Sequence, residues 1–72
     1  MVYDKIVAII ADKLDMSPED IKPESSFNDM QVDSLYMVEI MLSIEEEFGL
    51  LMEDASNLET VADLVDYVES HI

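Results

Sequence analysis

Hydrophobic positions recur at helical spacing in three stretches of the 72-residue chain. In "VYDKIVAIIADKL", Val2, Ile6, Ile9, Ile10 and Leu14 fall on one side of a 3.6-residue repeat, which predicts a first helix. In "SLYMVEIMLSIEEEF" the repeat predicts a second helix from about Ser34 to Phe48, with Asp33 as its N-cap and Gly49 as its stop. Val61, Leu64, Val65, Val68 and Ile72 form the stripe of a last helix. Thr60 stands at its N-cap and Asp63 at the capping-box position, where Asp is a weaker partner than Glu. Residues 16–32 show no sustained period. There Ser17 can cap a single turn opened by Pro18, Glu19 and Asp20 suit the dipole of that turn, and Pro23 stops it. Ile21 and Phe27 are the side chains expected to pin this connection to the core. A connection so long in so small a chain usually has a function. After Gly49, "LLMEDASNLE" offers one short helix, around Asp54 to Leu58. Three longer helices and one or two short ones make an all-α bundle.

The second helix has two apolar faces. Met37, Ile40, Met41, Ile44 and Phe48 share a stripe wide enough to face a core. Leu35, Val38 and Leu42 form a second stripe, roughly opposite, flanked by Glu39, Glu45 and Glu46. Tyr36 lies between the two stripes near the helix start. With only two other long helices available, the second stripe is more than a small bundle needs. It reads as an exposed apolar ridge inside an acidic rim, fit for a partner with an apolar groove and a basic border. The methionines, Met30, Met37, Met41 and Met52 among them, read as flexible core fillers.

Charge sharpens that reading. The chain carries 18 acids against 3 bases, a formal charge of −15. The bases are Lys5, Lys13 and Lys22; from Pro23 onward there are thirteen Asp or Glu and no Lys or Arg. Phosphate contacts need cations, so nucleic acid is excluded as a partner and an anionic membrane surface is disfavoured. A basic patch on another protein is the natural complement. The length bounds the chain to one domain, residues 1–72. The absence of Cys excludes a disulfide framework and thiolate metal sites. The opening stretch carries acids inside its apolar run, so it is neither signal peptide nor membrane span, and a cytoplasmic location is expected.

Ser34 stands at the mouth of the second helix in "VDSLYMVEI". A nucleophilic serine needs a base and a group to orient it. The only imidazole is His71, and there is no G-x-S-x-G elbow or Gly-rich oxyanion loop. The "EEE" run at 45–47 reads as a solvated helix surface with no cleft to shift a carboxyl pKa, and no spacing matches an EF-hand loop, so no metal site is expected. The chain is not expected to be an enzyme.

Taken in order, "SPEDIKPESSF", "DSL", "VEIMLSIEEEFG" and "TVADLVDYV" resemble the acyl carrier protein family over nearly the whole chain. The resemblance implies a small four-helix bundle, three longer helices and a short third one, as a single acyl-carrier domain. It implies that Ser34, with Asp33 and Leu35 beside it, is the attachment site of a 4′-phosphopantetheine arm taken from coenzyme A. Acyl groups would ride on the arm as thioesters, for fatty acid biosynthesis or a related polyketide-type pathway. A helix start suits this role, because it is rigid and its N-terminus favours the anionic phosphate. Leu35, Tyr36, Val38, Glu39, Leu42, Glu45 and Glu46 match the docking face that the family presents to a phosphopantetheinyl transferase and to acyl-processing enzymes with basic patches. Phe27, Ile40, Ile44, Leu58, Val61 and Val65 are the candidates to line an acyl cavity, and a monomer is usual for the family.

The chain also departs from the family's pattern. Tyr36 stands where fatty-acid carriers usually have an acid, which removes one contact with basic partners and puts an aromatic ring beside the arm. The usual Gly before "DSL" is missing, "FNDMQVDSL" is one residue short, and "LM" replaces an Ile-Pro after the second helix. The Gly-Gly-x-Ser pattern of peptidyl carriers is absent. The competing reading is an acidic helical interaction module that uses the second helix and never carries an arm.

Overall fold

A computed structural model describes residues 1–52 and 58–72. Its helices are α1 (Val2–Leu14), α2 (Ser34–Phe48) and α3 (Val61–Glu69), and a single 3-10 turn covers Pro18–Asp20. Among the described residues there is no strand, only an isolated antiparallel bridge between Ser26 and Thr60. The short helix expected around Asp54 to Leu58 falls on 53–57, outside the described residues, and Leu58 itself is not helical. The described architecture is therefore all-helical with three α-helices.

In α1, Ile6 and Ile10 are fully buried together with Val7 and Ala11, while Val2, Ile9 and Leu14 pack at the margin. The buried face is centred one position away from the predicted stripe, with Val7 and Ala11 in place of Val2 and Leu14. α1 ends at Asp15, in the left-handed region at φ 55°, with its N–H donating to the Ala11 carbonyl. α2 begins at Asp33, whose Oδ1 accepts the Tyr36 N–H at 2.9 Å. It stops at Gly49, where φ is 68° and the N–H donates to the Glu45 carbonyl at 2.9 Å. Lys5 pairs with Glu47 at 3.2 Å, and Lys13 lies beside Glu39 and Ser43, so α1 and α2 run antiparallel.

α3 starts with the predicted capping box. Thr60 Oγ1 accepts the Asp63 N–H at 3.2 Å, and Asp63 Oδ2 accepts the N–H groups of Glu59 and Thr60, each at 3.1 Å. Val61, Leu64, Val65 and Val68 are buried, but Ile72 is not part of the stripe. The helix ends at Glu69 and Ile72 is exposed. The reason is local. Ser70 Oγ donates to the Tyr67 carbonyl at 2.8 Å, the His71 ring reaches the same carbonyl at 2.7 Å, and that ring stacks on Tyr67 at 4.2 Å. The last turn is closed before Ile72 can join it. Ser17 is a second correction. It precedes the 3-10 turn, but its side chain makes no cap bond. The Asp20 N–H donates instead to the Ser17 backbone carbonyl, at 3.0 Å.

The long connection is held down as expected. Ile21 and Phe27 are buried in the common core. Backbone bonds then staple the connection to the entry of α3. The Phe27 N–H donates to the Glu59 carbonyl at 2.9 Å, the Val61 N–H to Ser25 at 3.0 Å, and the Ala62 N–H to Pro23 at 2.8 Å. Among the described residues no helix is long and apolar enough to cross a membrane.

The α3 cap has a testable weight. Thr60→Ala is expected to cost about 1 kcal/mol, read from urea unfolding. The Asp63 carboxyl is held below its ordinary value of 3.8, first by the Glu59 N–H and then by the Thr60 N–H. A depressed carboxyl stabilises the fold above its unfolded value, and that stability is lost as pH falls through the lowered value. Asp63→Asn should therefore flatten the loss of stability below about pH 4. A Thr60→Ala variant as stable as the parent would contradict the cap.

Candidate functional site

Ser34 is the first residue of α2 and is exposed. A helix leaves its first N–H groups without intrahelical partners. Asp33 takes that of Tyr36, and those of Ser34 and Leu35 have none among the described residues. The Ser34 hydroxyl also makes no hydrogen bond there. His71, the one imidazole, is engaged with Ser70 and Tyr67 at the end of α3. The site is thus an accessible hydroxyl on a helix start, with no imidazole beside it.

The two faces of α2 are partitioned clearly. Ile40 and Ile44 have no exposed surface, and Met37, Met41 and Phe48 pack beside them. On the other side Leu35 is 68% exposed, Val38 50% and Leu42 55%. Leaving three aliphatic side chains so exposed gives up favourable burial, so this ridge contributes little to holding the fold. Tyr36 is exposed at its edge.

The carboxylates nearby divide in a way their residue types do not announce. Glu39 and Glu46 are exposed and make no ion pair or hydrogen bond among the described residues. Glu45 is half-buried, and its Oε2 accepts the Met52 N–H at 2.9 Å. Glu47 is turned toward Lys5. A hollow of about 400 Å³ is lined by Lys13, Glu39, Leu42, Ser43, Glu45 and Glu46. Lys13, on the wall of that hollow, makes no ion pair among the described residues.

A separate cleft of about 490 Å³ opens beside the start of α2, lined by Ser26, Phe27, Asn28, Val32, Met37, Leu58 and Glu59. Of the sequence candidates for an acyl cavity, Phe27 and Leu58 meet in this cleft. Ile40, Ile44 and Val61 are sealed in the core, and Val65 is nearly so. Val32 and Met37, which flank Ser34 in sequence, line the cleft as well and were not among those candidates. Their only signal was to be apolar residues close to the serine.

The residues fit an attached phosphate-bearing arm. An exposed hydroxyl offers the anchoring oxygen, two N–H groups without a partner among the described residues stand at the positive end of a helix, and an open cleft lies alongside. These features suit a module that holds its reactive group instead of building it from side chains.

Comparisons with known proteins place that module. The family model described as a phosphopantetheine attachment site matches residues 4–68. An acyl carrier protein of Thermosynechococcus vestitus is 40% identical, over 99% of this chain and 91% of its own length. Acyl carrier proteins of Clostridium acetobutylicum and Chlamydia trachomatis are 43% and 42% identical, over 99% and 94% of this chain and 96% and 92% of theirs. The chain belongs to the acyl carrier protein family: it is a carrier, not a catalyst, and its cofactor is 4′-phosphopantetheine.

Proposed function

We propose that this protein carries acyl intermediates on an arm attached at Ser34, for fatty acid biosynthesis or a related polyketide-type pathway. The observation that supports this most is the exposed hydroxyl at the first position of α2, in a chain of this family. Ser34 contributes the oxygen that bonds the phosphorus of the arm; its proton passes to the modifying enzyme, and adenosine bisphosphate leaves from coenzyme A. Once attached, the arm supplies a thiol on which acyl groups ride as thioesters. Asp33 holds the helix start in place, and the outward N–H groups of Ser34 and Leu35 offset the charge of the phosphate.

Leu35, Tyr36, Val38 and Leu42 form the apolar part of the docking face, and Glu39 and Glu46 are its free carboxylates. The partners are a phosphopantetheinyl transferase and acyl-processing enzymes bearing basic patches. The cleft at Phe27 and Leu58 is where the proximal part of the cargo would lie. We also read residues 1–72 as one acyl-carrier domain of the four-helix-bundle type that acts as a cytoplasmic monomer.

Because the chain has no Cys, a thiol reagent reads the arm without background. Incubation with coenzyme A and a broad-specificity transferase, followed by removal of small molecules, should bring one titratable thiol per chain. No thiol on a folded chain not already modified would defeat the reading. For the docking face, Glu39→Lys with Glu46→Lys should raise the transferase KM roughly tenfold or more, with little change in stability. An unchanged KM would move docking away from α2.

A further inference from the structure

Glu45 is set apart from its neighbours by the turn at the end of α2. Gly49 stops the helix, and the chain folds back so that Met52 returns to the core, 6% exposed, while Leu51 points out at 72%. The Met52 N–H is partly buried, and its partner is the Glu45 carboxylate, at 2.9 Å. A backbone N–H in that position needs an acceptor, since losing one there costs as much as a lost hydrogen bond. Glu45 therefore latches the segment 50–52 against α2. The same side chain lines the hollow with Glu39, Glu46 and Lys13. Three carboxylates against one ammonium leave the hollow negative, and Leu42 forms its apolar wall. Its complement is a single long cationic side chain with an aliphatic stem.

We propose that Glu45 couples docking to the packing behind α2: a partner's Arg or Lys that pairs with Glu45 draws its carboxylate from the Met52 amide and loosens Met52 from the core. This rests on the reading of α2 as the docking face. A full positive charge competes for the carboxylate more strongly than an amide dipole does, and an Arg that engages both oxygens turns the carboxylate plane toward itself and away from Met52. Glu39 and Glu46 contribute attraction only, because neither has an internal bond to release among the described residues. Glu45 is a positioning residue of the docking face, and the segment 50–52 is the element it controls.

The test is amide hydrogen exchange followed by NMR on the full, unmodified chain, free and bound to a broad-specificity phosphopantetheinyl transferase without coenzyme A. The expected result is a roughly tenfold loss of Met52 protection on binding, with the Ile44 and Leu64 amides unchanged. Glu45→Ala should show that loss already in the free chain. Glu45→Gln keeps an acceptor oxygen without the charge, so its Met52 should stay protected both free and bound. Met52 protection that is unchanged in a formed complex, or unchanged by Glu45→Ala in the free chain, would overturn the coupling. Failure of the docking reading looks different: Glu39→Lys and Glu46→Lys would then leave transferase affinity untouched, and the coupling would fall with it.

Discussion

Ser34→Ala takes up no phosphopantetheine and folds as the parent does. Both halves of that expectation rest on the geometry. The Ser34 hydroxyl is exposed and makes no hydrogen bond among the described residues, so its loss leaves no buried group unsatisfied and opens no cavity. The cap of α2 is Asp33, not Ser34, and its bond to the Tyr36 N–H uses only Asp33 oxygen and Tyr36 backbone. Alanine is also the strongest helix former. Stability should therefore stay within about 0.5 kcal/mol of the parent. Asp33→Ala is the contrasting variant: it removes the cap and should cost about 1 kcal/mol, while leaving the hydroxyl available. Ser17, Ser25, Ser26, Ser43 and Ser70 are among the serines that remain in the Ser34→Ala chain. Uptake by that variant would place the arm elsewhere and break the link between α2 and function.

The second large effect is on the core behind the docking face. Ile40→Ala is expected to lose about 2–5 kcal/mol, because the side chain is fully buried and its removal leaves a cavity as well as lost burial. A domain of this length has only about 4–11 kcal/mol in all, so the variant should melt far lower and populate unfolded chain near body temperature. Leu42→Ala, two positions on, removes a side chain of the same size from the opposite face, where it is 55% exposed. It should change stability by less than about 0.5 kcal/mol while weakening partner binding. The pair separates fold from docking on a single helix. Equal stability losses in circular-dichroism melts would mean that the ridge is part of the core.

Much of this was legible in the sequence. The bounds of α1 and α2, the Asp33 cap, the Gly49 stop and the Thr60–Asp63 capping box all rest on local spacing, and local spacing is what a sequence displays. The split of α2 into a buried and an exposed stripe was legible for the same reason. Ile72 was misplaced because periodicity does not see the Ser70 and His71 contacts that close α3 early. The Ser17 cap failed because a backbone carbonyl already accepts the bond. The staples from Pro23, Ser25 and Phe27 to the α3 entry join backbone atoms far apart in the chain, and no side-chain pattern reports them. Glu45 and Glu46 are identical neighbours, and only the turn after Gly49 brings an amide to one of them. The cleft beside Ser34 is likewise a product of three segments meeting, so Val32 and Met37 gave little warning of their place in it.

The central claim is that one arm sits on Ser34. The measurement that tests it most directly is intact mass before and after incubation with coenzyme A and a broad-specificity phosphopantetheinyl transferase, with fragmentation of the product to locate the added mass. The account predicts a gain equal to one phosphopantetheine, confined to fragments that contain Ser34. A gain on any other residue, or none on a folded chain that starts unmodified, would contradict it.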